Sequence, residues 1–413
     1  MNVRILRLAA GGDGVGRLPD GRTVFVARTA PGDLLELGAL QEKKRWARAR
    51  PGRILEAGPD RRDPPCPHYT RDECGGCQLQ HLRYPAQVAA KAEMVGETLR
   101  RVGRLALENP VVVPSPSEWG YRSRVTLAVD GPGGAVGFRR YDRPAEIFQL
   151  EHCHIAAPAL MEVWRTLAQL RHLLPPDAER IRLRLDRAGG RHVIVETAGP
   201  GRWPEADSLA NRLAETGMVL WWRRGGGAAS VVGEIESAFP AQVFQQVHPE
   251  MGDRIRKAAV EALGPAKGRL VWDLFAGIGE TTALLVGQGA VVESVEVDRV
   301  AVGHAKRRFA ASGMPAEGPP PRLIARRVED AISDLTPPDL IVTNPPRTGM
   351  DASVVDAIAA SGARRVVYIS CDSATLARDL ARLNSRYLPV ALLSFDLFPQ
   401  TAHVESVVTL EAR

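Results

Sequence analysis

Between Leu270 and Leu410 the chain alternates short β-branched runs with stretches of helical length, and no other feature constrains the fold as much. The strand-forming runs are Leu270–Leu274, Val291–Val297, Arg322–Ala325, Leu340–Thr343, Val366–Ile369 and Val390–Phe395, each short and apolar enough to be buried on both faces of a parallel sheet. A last run, Val404–Leu410, follows a connection too short for a crossover helix and is predicted to be antiparallel. The expected result is an open α/β sheet of six parallel strands and one antiparallel strand with right-handed crossovers. Such sheets bind ligands beyond the carboxyl ends of their strands, so residues at those ends are the first candidates for a site.

Asp273-Leu-Phe275-Ala-Gly277-Ile-Gly279-Glu280-Thr281 ends the first of these runs. Its glycines let backbone approach a ligand, and the helix that follows offers its N-terminus to polar groups. Glu296, at the end of the next strand, is placed for a ribose diol. A dinucleotide fingerprint calls for a third small residue at position 282, which is Thr here, so the pattern fits S-adenosylmethionine better than NAD. The strand arrangement is that of a Rossmann-like, class I S-adenosylmethionine-dependent methyltransferase. Asn344-Pro345-Pro346-Arg347 ends the fourth strand beside the same crevice. Methyltransferases acting on exocyclic amines end such a loop in an aromatic residue, and Arg347 stands in that place.

Ser370-Cys371-Asp372 ends the fifth strand. Of the five cysteines only Cys371 lies beyond position 153. Glu405 sits where the last strand begins, at the same edge. Uracil C5 is too weak a nucleophile to take a methyl group unaided. A thiolate added at C6 makes it an enolate, and a base must later remove the C5 proton so that the thiolate can leave. Cys371 suits the first role and Glu405 the second.

The front of the chain reads differently. Residues 1–62 carry 13 Arg and Lys against 7 Asp and Glu, a net +6 that equals the charge of the whole chain. Short runs broken by Gly and Pro (Val3–Leu8, Thr23–Ala27, Leu34–Leu37, Arg45–Arg50, Arg53–Leu55) predict a small β-barrel, with Gly11-Gly12-Asp13-Gly14 as a turn. Lys44, Trp46, Arg48 and Arg50 fall on one strand face, which suits phosphate contact and base stacking. This pattern resembles a TRAM domain, an OB-like RNA-binding barrel. Cys66, Cys74 and Cys77 follow a Pro-rich linker, and Cys153 lies further on. Four thiols in a chain without secretory signals point to a metal site, either tetrahedral zinc or a [4Fe–4S] cluster. The three-cysteine radical signature is absent. Val88–Arg101 is predicted helical, and a linker-like Gly225-Gly226-Gly227 leads toward the catalytic half. The division expected is a barrel over 1–58, a mixed central domain over 59–239 and a catalytic domain over 240–413. With no apolar run of membrane-spanning length and no signal-peptide core, the protein is expected to be a cytoplasmic monomer.

Taken together, Cys66/Cys74-Gly-Gly-Cys77 with Cys153, Phe244-Gln245-Gln246, the Asp273 to Gly279 loop, Asn344-Pro-Pro-Arg347, Ser370-Cys371-x-x-x-Thr375 and Asp396-x-Phe-Pro-x-Thr-x-His403-Val-Glu405 resemble the RNA uracil-C5 (5-methyluridine) methyltransferase family over nearly the whole chain. The resemblance implies a [4Fe–4S] cluster on Cys66, Cys74, Cys77 and Cys153. It also implies a cofactor pocket lined by Gln246, Phe275, Glu280, Glu296 and Asn344, with Cys371 as nucleophile and Glu405 as base. It implies RNA as partner, with ribosomal RNA favoured over tRNA because of the cluster and the barrel. Three positions depart from the family pattern: Asn344 where Asp is usual, Asp372 where Asn follows the nucleophile, and His248 where Asn is usual. Asp372 is expected to raise the pKa of the Cys371 thiol, which leaves a catalytically weakened RNA-binding protein as the alternative.

Overall fold

The computed structural model describes residues 1–199, 201–233, 237, 241–311 and 319–413. The expected boundary at 239/240 lies outside the described residues.

The first 56 residues form a closed five-stranded barrel of strands Asn2–Leu8, Gly14–Arg17, Thr23–Val26, Leu34–Glu42 and Trp46–Glu56. Two expectations are corrected here. Gly14 opens a strand rather than closing a turn, because a Cβ at Gly14 or Gly16 would lie 2.1 Å from the Thr29 hydroxyl or 2.3 Å from a Val3 methyl. The runs Arg45–Arg50 and Arg53–Leu55 are one strand. Pro51 sits where its register against Leu34–Glu42 is broken, the position at which a missing N–H costs least. Ala47 and Ala49 point into the barrel while Trp46, Arg48 and Arg50 point out. Arg48 pairs with Asp13 at 2.6 Å and Arg50 pairs with Asp142.

A seven-stranded mixed sheet follows, covered on one face by the helices Pro158–Gln169 and Ala206–Ala214. Gly225 to Gly227 is not a linker. It turns a hairpin in which Arg223 pairs with Ala229.

The last sheet has eight strands, in the order Arg322–Ala325, Val291–Glu296, Leu270–Leu274, Leu340–Thr343, Arg365–Ser370, Glu405–Ala412, Tyr387–Phe395, Val111–Val113. Glu405–Ala412 is antiparallel to both of its neighbours and the remaining pairings are parallel. The eighth strand, Val111–Val113, comes from the front half of the chain. It adds to the edge beside Tyr387–Phe395, and the Tyr84–Arg101 helix packs through Val95 and Leu99 into the same core as Leu376 and Leu380. The span 59–239 therefore contributes a strand and a helix to the catalytic sheet. Among the described residues no helix is long and apolar enough to cross a membrane.

Candidate active site

The strand order reverses at Leu270–Leu274, flanked by the second strand on one side and the fourth on the other. A crevice opens at the carboxyl ends where neighbouring connections run to opposite faces. A cleft of about 1010 Å³ occupies it. Gln246, Asp273, Phe275, Gly277, Glu280, Glu296, Asn344, Cys371 and Glu405 all line this cleft. Gly279 does not. It sits behind the loop with φ of 71° and begins the helix Glu280–Gly287.

The glycine loop owes its curl to three left-handed residues, Phe275, Gly277 and Gly279, with φ of 61°, 57° and 71°. Glu296 secures it, its Oε2 accepting from Gly277 N at 2.8 Å and its Oε1 from Asp298 N at 2.8 Å. Asp273 is fully buried and accepts a 2.6 Å hydrogen bond from the Thr282 hydroxyl. Burial pushes its carboxyl up to about 7, against the opposing pull of Thr282. The residue that argued against a dinucleotide thus orients this acid. Glu280 is held on both oxygens, by Arg187 at 2.9 Å and by Arg256 at 3.1 Å. Neither arginine carried a signal in the sequence. Arg187 belongs to a turn of the central sheet and meets Glu280 only through tertiary packing.

The antiparallel register brings Cys371 and Glu405 to one edge of the sheet. Ile369 pairs with Val407 and Ser370 with Ser406, so Cys371, just past the end of its strand, and Glu405, at the start of its own, lie at the same edge of the sheet. Burial raises the Cys371 thiol to about 11, with Glu405 the next cause and Arg347 opposing both. Glu405 is buried and its Oε2 has no hydrogen-bond partner among the described residues. Burial lifts its carboxyl to about 7, while Arg347 and a hydrogen bond from Gln246 pull it down. A carboxyl with that affinity switches between acid and base near neutrality. At the mouth of the cleft Phe244 is 60% exposed, with the Arg124 guanidinium 5.5 Å from its ring centre.

The departures at 372 and 248 have structural explanations. Asp372 caps the helix Ser373–Leu383, accepting from Ala374 N at 3.0 Å and Thr375 N at 2.9 Å. Its charge raises the Cys371 thiol, but less than burial and Glu405 do. The expected rise from Asp372 is therefore present, with burial as the main cause and Arg347 opposing it. His248 caps Pro249–Leu263, accepting from Met251 N at 3.5 Å. Its ring stacks on Tyr121 at 5.2 Å, and burial lowers its pKa, so it is neutral and leaves Nε2 to donate to Ser115 Oγ at 3.0 Å. Asp and His thus perform the capping role that Asn would perform.

The four front cysteines also meet. Cys66 and Cys77 are buried with Tyr121 and Ile155, and Cys153 packs against them. Burial raises the thiols of Cys74, to about 12, and of Cys77, and in each case the neighbouring cysteines add to the rise. Among the described residues no three His, Cys, Asp or Glu side chains converge closely enough to hold a single metal ion.

These features define a Rossmann-like methyltransferase, and comparison with known proteins narrows the class. The tRNA (Uracil-5-)-methyltransferase family matches residues 325–413. Over 99% of this chain and 97% of the relative, the sequence is 33% identical to an RNA methyltransferase of Streptomyces avermitilis. It is 31% identical to the 23S rRNA (uracil(1939)-C(5))-methyltransferase of Thiobacillus denitrificans, covering 99% of both chains. It is 32% identical to the corresponding Pseudomonas putida enzyme, covering 99% of this chain and 93% of that one. In fold it is similar to the Pyrococcus abyssi tRNA (uracil-54, C5)-methyltransferase solved with S-adenosyl-L-homocysteine, with a TM-score of 0.74, 21% identity and 99% of each chain covered. The chain belongs to the family of S-adenosylmethionine-dependent RNA uracil-C5 methyltransferases.

Proposed function

We propose that the protein makes 5-methyluridine in a structured RNA, with 23S ribosomal RNA its substrate and Cys371 and Glu405 its catalytic pair. The observation that carries this reading is that Cys371, one residue past its strand, and Glu405, the first residue of the antiparallel neighbour, both line the cleft that also holds the glycine loop. The Cys371 thiolate adds to C6 of uracil, and the C5=C6 electron pair moves onto the C4 oxygen. S-adenosylmethionine, when bound, supplies the methyl group that C5 attacks, its S–CH3 bond breaking to leave S-adenosylhomocysteine. Glu405 then takes the proton from C5, the C5=C6 bond re-forms and the thiolate departs, so atoms and charge balance. Arg347 faces the same atoms and favours the thiolate by its charge. Phe244, exposed at the mouth, offers a surface for stacking a base. Gln246, Asp273, Phe275, Gly277, Gly279, Glu280, Glu296 and Asn344 are assigned to the methyl donor. The likeness to the two 23S rRNA enzymes favours ribosomal RNA over tRNA. The barrel over 1–58 is assigned to RNA binding, and the protein is taken to act as a monomer in the cytoplasm.

Cys66, Cys74, Cys77 and Cys153 are assigned to a [4Fe–4S] cluster. Among the described residues no three His, Cys, Asp or Glu side chains are placed to hold a metal ion, so the assignment rests on the cysteine pattern and the family resemblance. Buried Cys66 and Cys77, with half-buried Cys74 and Cys153 beside them, would hold the cluster as thiolates.

The test is to map 5-methyluridine in ribosomal RNA and tRNA from a strain lacking the gene. One ribosomal site should lose its methyl group and regain it with the wild-type gene but not with Cys371→Ala. Loss confined to tRNA would overturn the ribosomal assignment, and no loss anywhere would overturn the function.

A further inference from the structure

The turn between the last two strands is tied down more heavily than its length demands. Its apex, Gln400, is fully buried and has φ of 68°, a left-handed conformation that costs a non-glycine residue about 1 kcal/mol or more. Every polar group of Gln400 is engaged. Its backbone N donates to Gln87 Oε1 at 3.0 Å, and its carbonyl accepts from Gln78 N at 3.1 Å and Leu79 N at 2.9 Å. Its side-chain Oε1 accepts from Gln87 Nε2 at 2.9 Å and from Arg62 at 3.1 Å, and its Nε2 reaches Glu118 at 3.5 Å. Gln78 extends the grip, since its Oε1 accepts from Ala402 N at 3.3 Å while its Nε2 donates to Gly75 O at 3.0 Å inside the Cys74–Cys77 loop. Pro399 is caught by the Tyr121 hydroxyl at 2.9 Å. Lys91 binds Asp396 at 2.6 Å and the Phe398 carbonyl at 3.1 Å.

All of these partners lie between residues 62 and 121, more than 270 positions away in sequence. The turn they hold delivers Phe398 to the cleft wall and ends at Glu405. Cys371 reaches the cleft on a separate element, whose cap is made by its own Asp372.

We infer that Gln400 is a positioning residue for proton removal, locking the 396–404 turn to the Cys74–Cys77 loop and the Tyr84–Arg101 helix so that Glu405 faces Cys371. The inference rests on the assignment of Glu405 as the base. It separates two steps of the reaction. Loosening Gln400 slows removal of the C5 proton and leaves thiolate addition and methyl transfer in place, so the protein stays bonded to ordinary uridine RNA.

The experiment incubates the full-length holoprotein with S-adenosylmethionine and 23S rRNA from a strain lacking the gene. It then reads protein–RNA adduct on a denaturing gel alongside methyl incorporation. Gln400→Gly keeps the left-handed backbone and removes the side-chain bonds. Gln87→Ala removes the partner without touching the turn, and serves if the first variant folds poorly. Both should accumulate adduct on uridine RNA, with turnover down roughly 10-fold or more, part of the about 10²–10⁴ that a positioned base contributes. A residue that only stabilised the fold would lower adduct and turnover together. Glu405→Gln is the control and should accumulate the most adduct. If that control accumulates adduct while Gln400→Gly and Gln87→Ala turn over slowly without it, the positioning role is refuted. If Glu405→Gln itself gives none, the base assignment fails and takes the positioning role with it.

Discussion

Glu405→Gln should make Cys371 more reactive even as it stops turnover. The Cys371 thiol is raised to about 11, first by burial and next by the Glu405 carboxylate. At pH 8 such a thiol, with its pKa of about 11, is ionised to roughly one part in a thousand. A neighbouring charge ordinarily moves a pKa by about 1 unit or more, and one unit is roughly a 10-fold change in thiolate at fixed pH. Replacing the carboxylate by an amide of the same shape removes that repulsion, so alkylation should be faster by about that factor. The assay is iodoacetamide labelling without RNA, followed by mass spectrometry of the Cys371 peptide, since four other thiols are present. The sign has a pH signature. Glu405 is ionised only above its own value of about 7, so variant and wild type should react alike below about pH 6 and separate above about pH 8. Arg347→Ala should act in the opposite sense, because Arg347 lowers the thiol pKa. A Cys371 that labels no faster at pH 8.5 in Glu405→Gln refutes the electrostatic coupling, and with it the claim that the two side chains share one site.

Other expectations follow from the same geometry. Lys91→Met strands the Asp396 carboxylate, since both side chains of this pair are fully buried. Breaking such a pair costs about 3–5 kcal/mol, to be read as lost amide-exchange protection over residues 396–404; a loss under about 1 kcal/mol contradicts it. Asp372→Ala removes a helix cap and should cost about 1 kcal/mol in thermal unfolding, whereas Asp372→Asn should be close to neutral because Asn caps as well. Glu405 acts as a base only when ionised, and its carboxyl is raised to about 7. Proton removal should therefore be fully present above that value and lost as pH falls through it, so single-turnover release of RNA from the adduct should slow tenfold per unit below about pH 6. A pH-independent release rate between 5 and 8 would count against Glu405.

How much of this was legible in the sequence follows from what is local and what is not. The strands of the catalytic sheet announce themselves through β-branched runs, and Leu270–Leu274, Arg322–Ala325 and Leu340–Thr343 fall on the expected residues. Cys371 could be placed at a strand end because Ser370 and Asp372 mark the stop. Glycine misled twice: Gly14 signals a turn locally, yet only Gly fits where Thr29 crowds the barrel wall, and Gly225 to Gly227 turns a hairpin where a linker was read. Val111–Val113 is too short to declare its sheet, and it pairs with a strand some 280 residues later. Arg187 on Glu280, Lys91 on Asp396 and Gln87 on Gln400 also meet across long stretches of sequence, and no spacing rule encodes them. Asp372 does add charge beside the thiol, and the sequence is silent on the two backbone N–H groups that its carboxylate caps.

The central claim is that methylation passes through a bond between Cys371 and the target uridine. The most direct measurement uses 23S rRNA transcripts carrying 5-fluorouridine, incubated with the holoprotein and S-adenosylmethionine. Fluorine cannot leave C5 as a proton, so the account predicts a denaturation-stable protein–RNA complex that contains the transferred methyl group and maps to Cys371. The complex should be absent from Cys371→Ala. An active enzyme that gives no complex, or a Cys371→Ala variant that still forms 5-methyluridine, contradicts it.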